Sequence, residues 1–186
     1  MRWDDLFTDL ELQLQTAMTL EQEGEIRDRT RAEQSRLTLA QRLGGHVGGH
    51  VAVGTRGGRT LTGVLTNVGS GWIALLSDQR SILVPVGSLQ VLRGLGRSVG
   101  QPLAGVDARL GLGSALRVLS RNRSPVSLWS ITPASRFDGV IDRVGADFLE
   151  LGGTTDGDAR GRATRRDIVT VPFASIDTVD AARPRD

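Results

Sequence analysis

His46 and His50 are the only imidazoles in the sequence, so any histidine chemistry must run through them. Their four-residue spacing would put two metal ligands on one helical face. Between them, however, stands Val47-Gly48-Gly49, which is turn chemistry, and no carboxylate is close enough in sequence to complete a ligand set. They read as solvent-exposed loop residues, and the same pair would have to supply the base of any Ser/His/Asp triad. Asp138 and Asp142 follow Arg136 at even spacing along one strand and share its outer face. Paired carboxylates can do acid and base work; here they read as an outward polar face. The stretch from Gly94 to Gly100 spaces its glycines as GxGxxxG and follows no crossover unit, so it reads as a linker and not as a phosphate loop. Asp156-Gly157-Asp158 lacks the further oxygen ligands of a calcium loop and reads as a hairpin tip. No catalytic, cofactor-binding or metal-ligating residue is assigned, and a non-enzyme with no cofactor is expected.

Composition removes further classes. All 23 basic residues are arginine, and lysine, tyrosine and cysteine are absent. Schiff-base chemistry, a phosphate-loop lysine, a thiol nucleophile and disulfides are therefore excluded. With only two histidines titrating between carboxylate and guanidinium, a net charge of +2 suffices to push the pI to about 10.7, so the pI does not mark a nucleic-acid binder. A chain of 186 residues makes one sizeable domain or two very small ones. The start, Met1-Arg2-Trp3-Asp4-Asp5, lacks a basic n-region and apolar run, and no stretch of about 18 apolar residues occurs. A cytoplasmic protein without membrane association is expected.

Charge is unevenly placed. Residues 1–25 carry one arginine against seven acids, and residues 26–135 carry fourteen arginines against four acids. An acidic first helix docking on basic surfaces, of the same fold or of a second copy, accounts for this. The alternative is RNA or DNA binding through an arginine-rich face comprising Arg56, Arg59, Arg93, Arg97, Arg117, Arg121 and Arg123, with Arg160, Arg162, Arg165 and Arg166. Three Trp and four Phe give poor aromatic interleaving for stacking single strands.

The elements follow from periodicity. Trp3, Phe7, Leu10 and Leu14 recur at steps of four, three and four, which predicts an amphipathic helix with a partner-docking seam. A second, weaker stripe reaches Leu43, where Gly44-Gly45 ends the helical region. From His50 the period becomes two, and turn residues cut the chain into strands at 51–56, 59–68, 72–77, 81–86 and 89–93. A glycine-rich linker leads to a helix over 107–123 with an Asp N-cap. Strands resume at 126–131, 136–144, 148–151, 168–173 and 176–179.

The two strand sets repeat one another. Residues 63–75 align with 139–151, with five of the thirteen pairs identical, and Val84-Pro85-Val86-Gly87-Ser88-Leu89 aligns with Val171-Pro172-Phe173-Ala174-Ser175-Ile176. Gly63 and Gly139 fall mid-strand on the apolar face, where a tightly bent strand leaves no room for a side chain.

This pattern resembles tandem repeats of the Sm-like family of small SH3-type barrels, in which a helix precedes five strongly bent strands; it is also similar to uncharacterised actinobacterial proteins of similar length. The family's RNA-binding members would imply an Asp and an Asn flanking the third loop, where this chain has Gly69 and Ile73, then Gly145 and Leu149. The pair Arg93-Gly94 is similar to the family's second motif but follows the last strand. The resemblance thus implies fold more than RNA binding. The expectation is a mainly β (α+β) chain with an N-terminal helical segment at 1–43, barrels at 44–94 and 124–181 with a linker and helix at 95–123 between them, and a tail at 182–186. Such a chain would serve as a protein–protein adaptor or self-associating scaffold.

Overall fold

The computed structural model describes Met18, Arg27, Arg29 and residues 31–32, 34–105, 107–153 and 168–182. The chain divides into two compact units, Met1–Thr38 and Leu39–Asp186. In the first, the described residues up to Ser35 are helical and exposed, and the seam of Trp3, Phe7, Leu10 and Leu14 lies outside the described residues.

The second unit is mainly β. A short helix α1 (Leu39–Gly44) leads into β1 (His50–Thr55), β2 (Thr60–Gly69), β3 (Trp72–Ser77), β4 (Arg80–Pro85) and β5 (Leu89–Arg93). After helix α2 (Leu112–Arg121) come β6 (Pro125–Ser130), β7 (Arg136–Val144), β8 (Phe148–Gly153), β9 (Ile168–Pro172) and β10 (Ile176–Ala182). No helix among the described residues is long and apolar enough to cross a membrane.

Alternation explains the strands. In β2, Leu61, Gly63 and Leu65 point inward between Thr60, Thr62 and Thr66, so one face is buried and the other wet. The two halves also share register. Val51 pairs with Gly63 as Val126 pairs with Gly139, and Trp72 pairs with Pro85 as Phe148 pairs with Pro172. The ladder shifts between Leu65 and Asn67, and again between Ile141 and Arg143. Such shifts bend and coil a strand. Gly63 and Gly139 are buried, and a Cβ at either would overlap a carbonyl oxygen of the next strand, that of Leu76 or of Gly152. The glycines are thus required by the close approach of a neighbouring backbone.

Two separate five-stranded barrels do not form. Among the described residues, all ten strands belong to one open antiparallel sheet in the order β5-β1-β2-β3-β4-β10-β6-β7-β8-β9. The correction has a simple cause: the free side of β4 is taken by β10, with Leu83 opposite Val179 and Ser81 opposite Ala181, so the sheet runs on instead of closing. There are accordingly no two barrels each fronted by its own helix. The sheet carries two apolar clusters, one around Leu43, Leu65, Ile73 and Leu75, the other around Leu116, Leu128, Ile141 and Leu149.

Two local expectations also shift. The helix α2 begins at Leu112 with Gly111 as its N-cap, and Asp107 opens a separate 3-10 turn, Asp107–Arg109. The stretch after β5 is tied down: Arg42 donates from both terminal nitrogens to the Ser98 and Gly96 carbonyls, and the Gly100 amide donates to Gln41. A Cβ at Gly100 would come within 2.6 Å of the Gly44 backbone, so the phosphate-loop-like spacing serves backbone contact with the end of α1.

Candidate interaction site

All the buried polar side chains among the described residues gather where the two halves of the sheet meet: Thr55, Ser88, Asp177, Thr178 and Asp180. Strand alternation produces this. Along β10, Val179 and Ala181 belong to the apolar cluster of the second half, and the residues between face the other way. A ladder shift between Ile176 and Thr178 lets Asp177 and Thr178 both turn from that cluster.

Asp177 is fully buried and its carboxylate accepts three hydrogen bonds from the first half. Thr55 Oγ1 donates at 2.6 Å, the Gly57 amide donates at 2.9 Å, and the Ser88 hydroxyl donates to the same oxygen as Gly57. Gly57 must be glycine here, because a Cβ would come within 2.5 Å of Asp177 Oδ2. A buried carboxylate without such donors would carry a desolvation cost of several kcal/mol, roughly, and these three bonds offset it.

Three residues on, Asp180 takes a bidentate pair from Arg59, at 2.9 Å from Nη1 and 2.8 Å from Nη2. Arg59 also donates to Thr178 Oγ1, and its guanidinium lies 4.5 Å over the centre of the Trp129 ring. Planar, delocalised and permanently charged, arginine can grip a carboxylate and stack on an indole at once, which lysine cannot do equally. The joint of the sheet is thus an acid strand held by hydroxyls, an amide and one arginine.

The expected arginine face is divided by this geometry. Arg59 is half-buried and engaged with Asp180, Thr178 and Trp129, so it is a structural residue and is withdrawn from the face. Arg56 is exposed beside the Gly87 carbonyl, and Arg93 and Arg97 are exposed at and beyond the end of β5. Arg117 donates to the Gly145 carbonyl, Arg123 stands 3.7 Å from Asp142, and Arg121 is exposed at the end of α2. Arg160, Arg162, Arg165 and Arg166 lie outside the described residues. The described members stand at the β1–β2 connection, at and beyond the end of β5, on α2 and just past its end.

Of the histidines, His50 is exposed at the start of β1. His46 lies in the turn after α1, as expected, but is half-buried and not solvent-exposed: its Nδ1 is 2.7 Å from the Arg42 carbonyl, and its Nε2 lies against the stretch containing Gly96. Among the described residues, no group of three His, Asp or Glu side chains could hold a metal. Asp138 is exposed and pairs with Arg136 at 2.8 Å. The Ser127 hydroxyl and then the Arg136 guanidinium hold its carboxyl below the ordinary aspartate range.

Among the described residues, neither β5 nor β9 has a second strand partner, and Val91 on β5 and Ile168 on β9 are 44% and 58% exposed. Position for position, β5 is the first half's counterpart of β10, and β9 is the second half's counterpart of β4. Gln90 stands where Asp177 stands, and Arg93 where Asp180 stands. Sequence reasoning missed Asp177 and Asp180 as the binding pair; the available signal was two acids in the last strand, one of them replacing a glutamine of the first copy. Comparison with protein-family models, curated proteins and solved structures finds no match.

Proposed function

We propose that this chain is a non-enzymatic interaction module that recruits a protein partner by strand addition at its open sheet edges, with a second copy of the chain as the favoured partner. One observation carries the reading: the middle of the sheet is already such a union, since β4 of one half and β10 of the other meet edge to edge, and β9 and β5, the corresponding strands, are each paired on one side only among the described residues. An unpaired strand edge offers a row of backbone donors and acceptors, and apolar Val91 and Ile168 provide the side-chain contacts that such pairing uses.

Pairing of β5 with β9 of a second copy is heterologous, so it yields rings or open chains. Light scattering after size exclusion, over a wide concentration range, should show a mass above the monomer that rises with concentration. The double variant Val91→Lys, Ile168→Lys should be monomeric, because edge charges oppose strand addition. A wild-type chain that stays monomeric throughout overturns self-pairing. Retention on duplex DNA or mixed RNA that weakens steeply with salt would instead favour the arginine-rich alternative.

A further inference from the structure

A hollow of about 320 Å³ opens between α2 and the face of β3, β4 and β10. Small side chains make it: Ala74, Ser81 and Ala181 on the sheet lie across from Ser114 and Ala115 on the helix. α2 is anchored on the second half through Leu116, which is fully buried, and its neighbouring face therefore overhangs the sheet joint without filling it. The wall at one end is fixed, because the Trp72 indole donates to the Leu110 carbonyl at 2.7 Å. On the rim, Val118 is 52% and Leu110 38% exposed. Binding sites for small molecules begin at about this volume and share this mostly apolar, pre-formed character.

A charge stands beside the rim. Arg121 lies seven residues from Ser114, which at 100° per residue places the two within about 20° of one another around α2, one turn past Val118. Arg121 is exposed, and no acid of the described residues pairs with it.

We propose that this hollow binds a single unbranched alkyl carboxylate, with the chain between α2 and the sheet and the carboxylate on Arg121. The volume takes on the order of ten methylene-sized groups, at roughly 30 Å³ for each water-sized group in a liquid. The carboxylate, and not a cationic head, is chosen because the free charge at the rim is a guanidinium.

Calorimetric titration of the full chain with decanoate, below its micelle concentration, and with decanol separates chain from head. Decanoate should bind at least about tenfold more tightly than decanol, the worth of one charge-assisted hydrogen bond. Arg121→Gln should erase that preference and leave decanol unchanged. Ala115→Phe fills the hollow and should abolish binding of both. Val118→Asp, at an exposed position that cannot unfold the chain by cavity formation, should do the same. Equal affinity of the wild type for the two ligands, or no heat with either, overturns the proposal. So does binding that survives Val118→Asp, and so does a change of oligomeric mass in Val118→Asp without decanoate binding, which would make the hollow a protein contact.

Discussion

The β4–β10 joint and the outer strands β5 and β9 set the same strand positions in two environments. At the joint, Asp177 receives three donors and Asp180 a bidentate arginine, so the buried acids dictate which strand can lie beside β4. At the edges, Gln90 and Arg93 occupy the corresponding places on β5, while Ser130, Ser135 and Ser175 stand where Thr55, Arg59 and Ser88 stand in the first half. The internal joint is thus specific through buried charge, and the edges have no such lock. A buried charge that only one partner can satisfy buys specificity of pairing more than net stability. An association at the edges should therefore be weaker and reversible.

The largest expected effect breaks the joint directly. Asp177→Ala leaves two buried hydroxyls and the half-buried Gly57 amide without an acceptor, and should cost about 3–5 kcal/mol, read from urea unfolding. A cost no larger than that of Gln90→Ala, its counterpart on the open edge, would remove the distinction between the two regions.

Next comes the bend that both halves share. Gly139→Val sets a branched side chain against the Gly152 carbonyl, and thermal melts should show a loss at the upper end of the roughly 1–3 kcal/mol range for overpacking. Gly63→Val should match it, since the Leu76 carbonyl is as close. Outward Asp138→Ala should stay within about 0.5 kcal/mol. Small, equal shifts in all three would mean that neither strand is coiled as described.

Arginine substitutions sharpen the same contrast. Arg59→Ala strips Asp180 of its ion-pair partner, leaving it the Thr178 hydroxyl, and should cost about 2 kcal/mol; Arg93→Ala, at the equivalent of an acid position on the open edge, should cost within about 0.5 kcal/mol. Chemical denaturation of the two variants side by side decides between a joint-specific arginine and a merely basic surface.

The smallest effect is a pH dependence outside the joint. Because Asp138 is held below the ordinary 3.8 in the folded chain, its contribution is present above that value and disappears as pH falls through the lower folded one. The group is exposed, so the difference in stability between wild type and Asp138→Asn should be within about 0.5 kcal/mol near neutrality and vanish in acid. A difference that grows as pH falls would contradict the assigned hydrogen bonds.

How much of this was legible in the sequence follows from the range of each interaction. The strands announced themselves through alternation and turn residues, and the repeated Gly63 and Gly139 marked bends because their cause lies in the adjacent strand. The partner of β4 did not: β5 and β10 share the same apolar alternation, and the two acids that set β10 apart act only through residues far away in sequence. Closing each half on itself was the local choice, and Asp177 and Asp180 decide otherwise through contacts with Thr55, Arg59 and Ser88, far away in sequence. Arg59 looked like one more surface cation for the same reason. The N-cap of α2 was misplaced because Asp107 is a favourable cap by residue type, whereas the helix begins at Leu112 and Asp107 lies in a separate 3-10 turn before it.

Hydrogen exchange of the native chain, resolved by residue, tests the continuous sheet with open ends most directly. The amides of β4 and β10 that pair across the joint, around Ile82 and Asp180, should exchange only through global unfolding, while the outward amides of β5 and β9 should exchange orders of magnitude faster in dilute solution and slow as concentration rises. Fast, local exchange at the joint, or edges protected equally at every dilution, would contradict a single sheet that is locked at its centre and open at its ends.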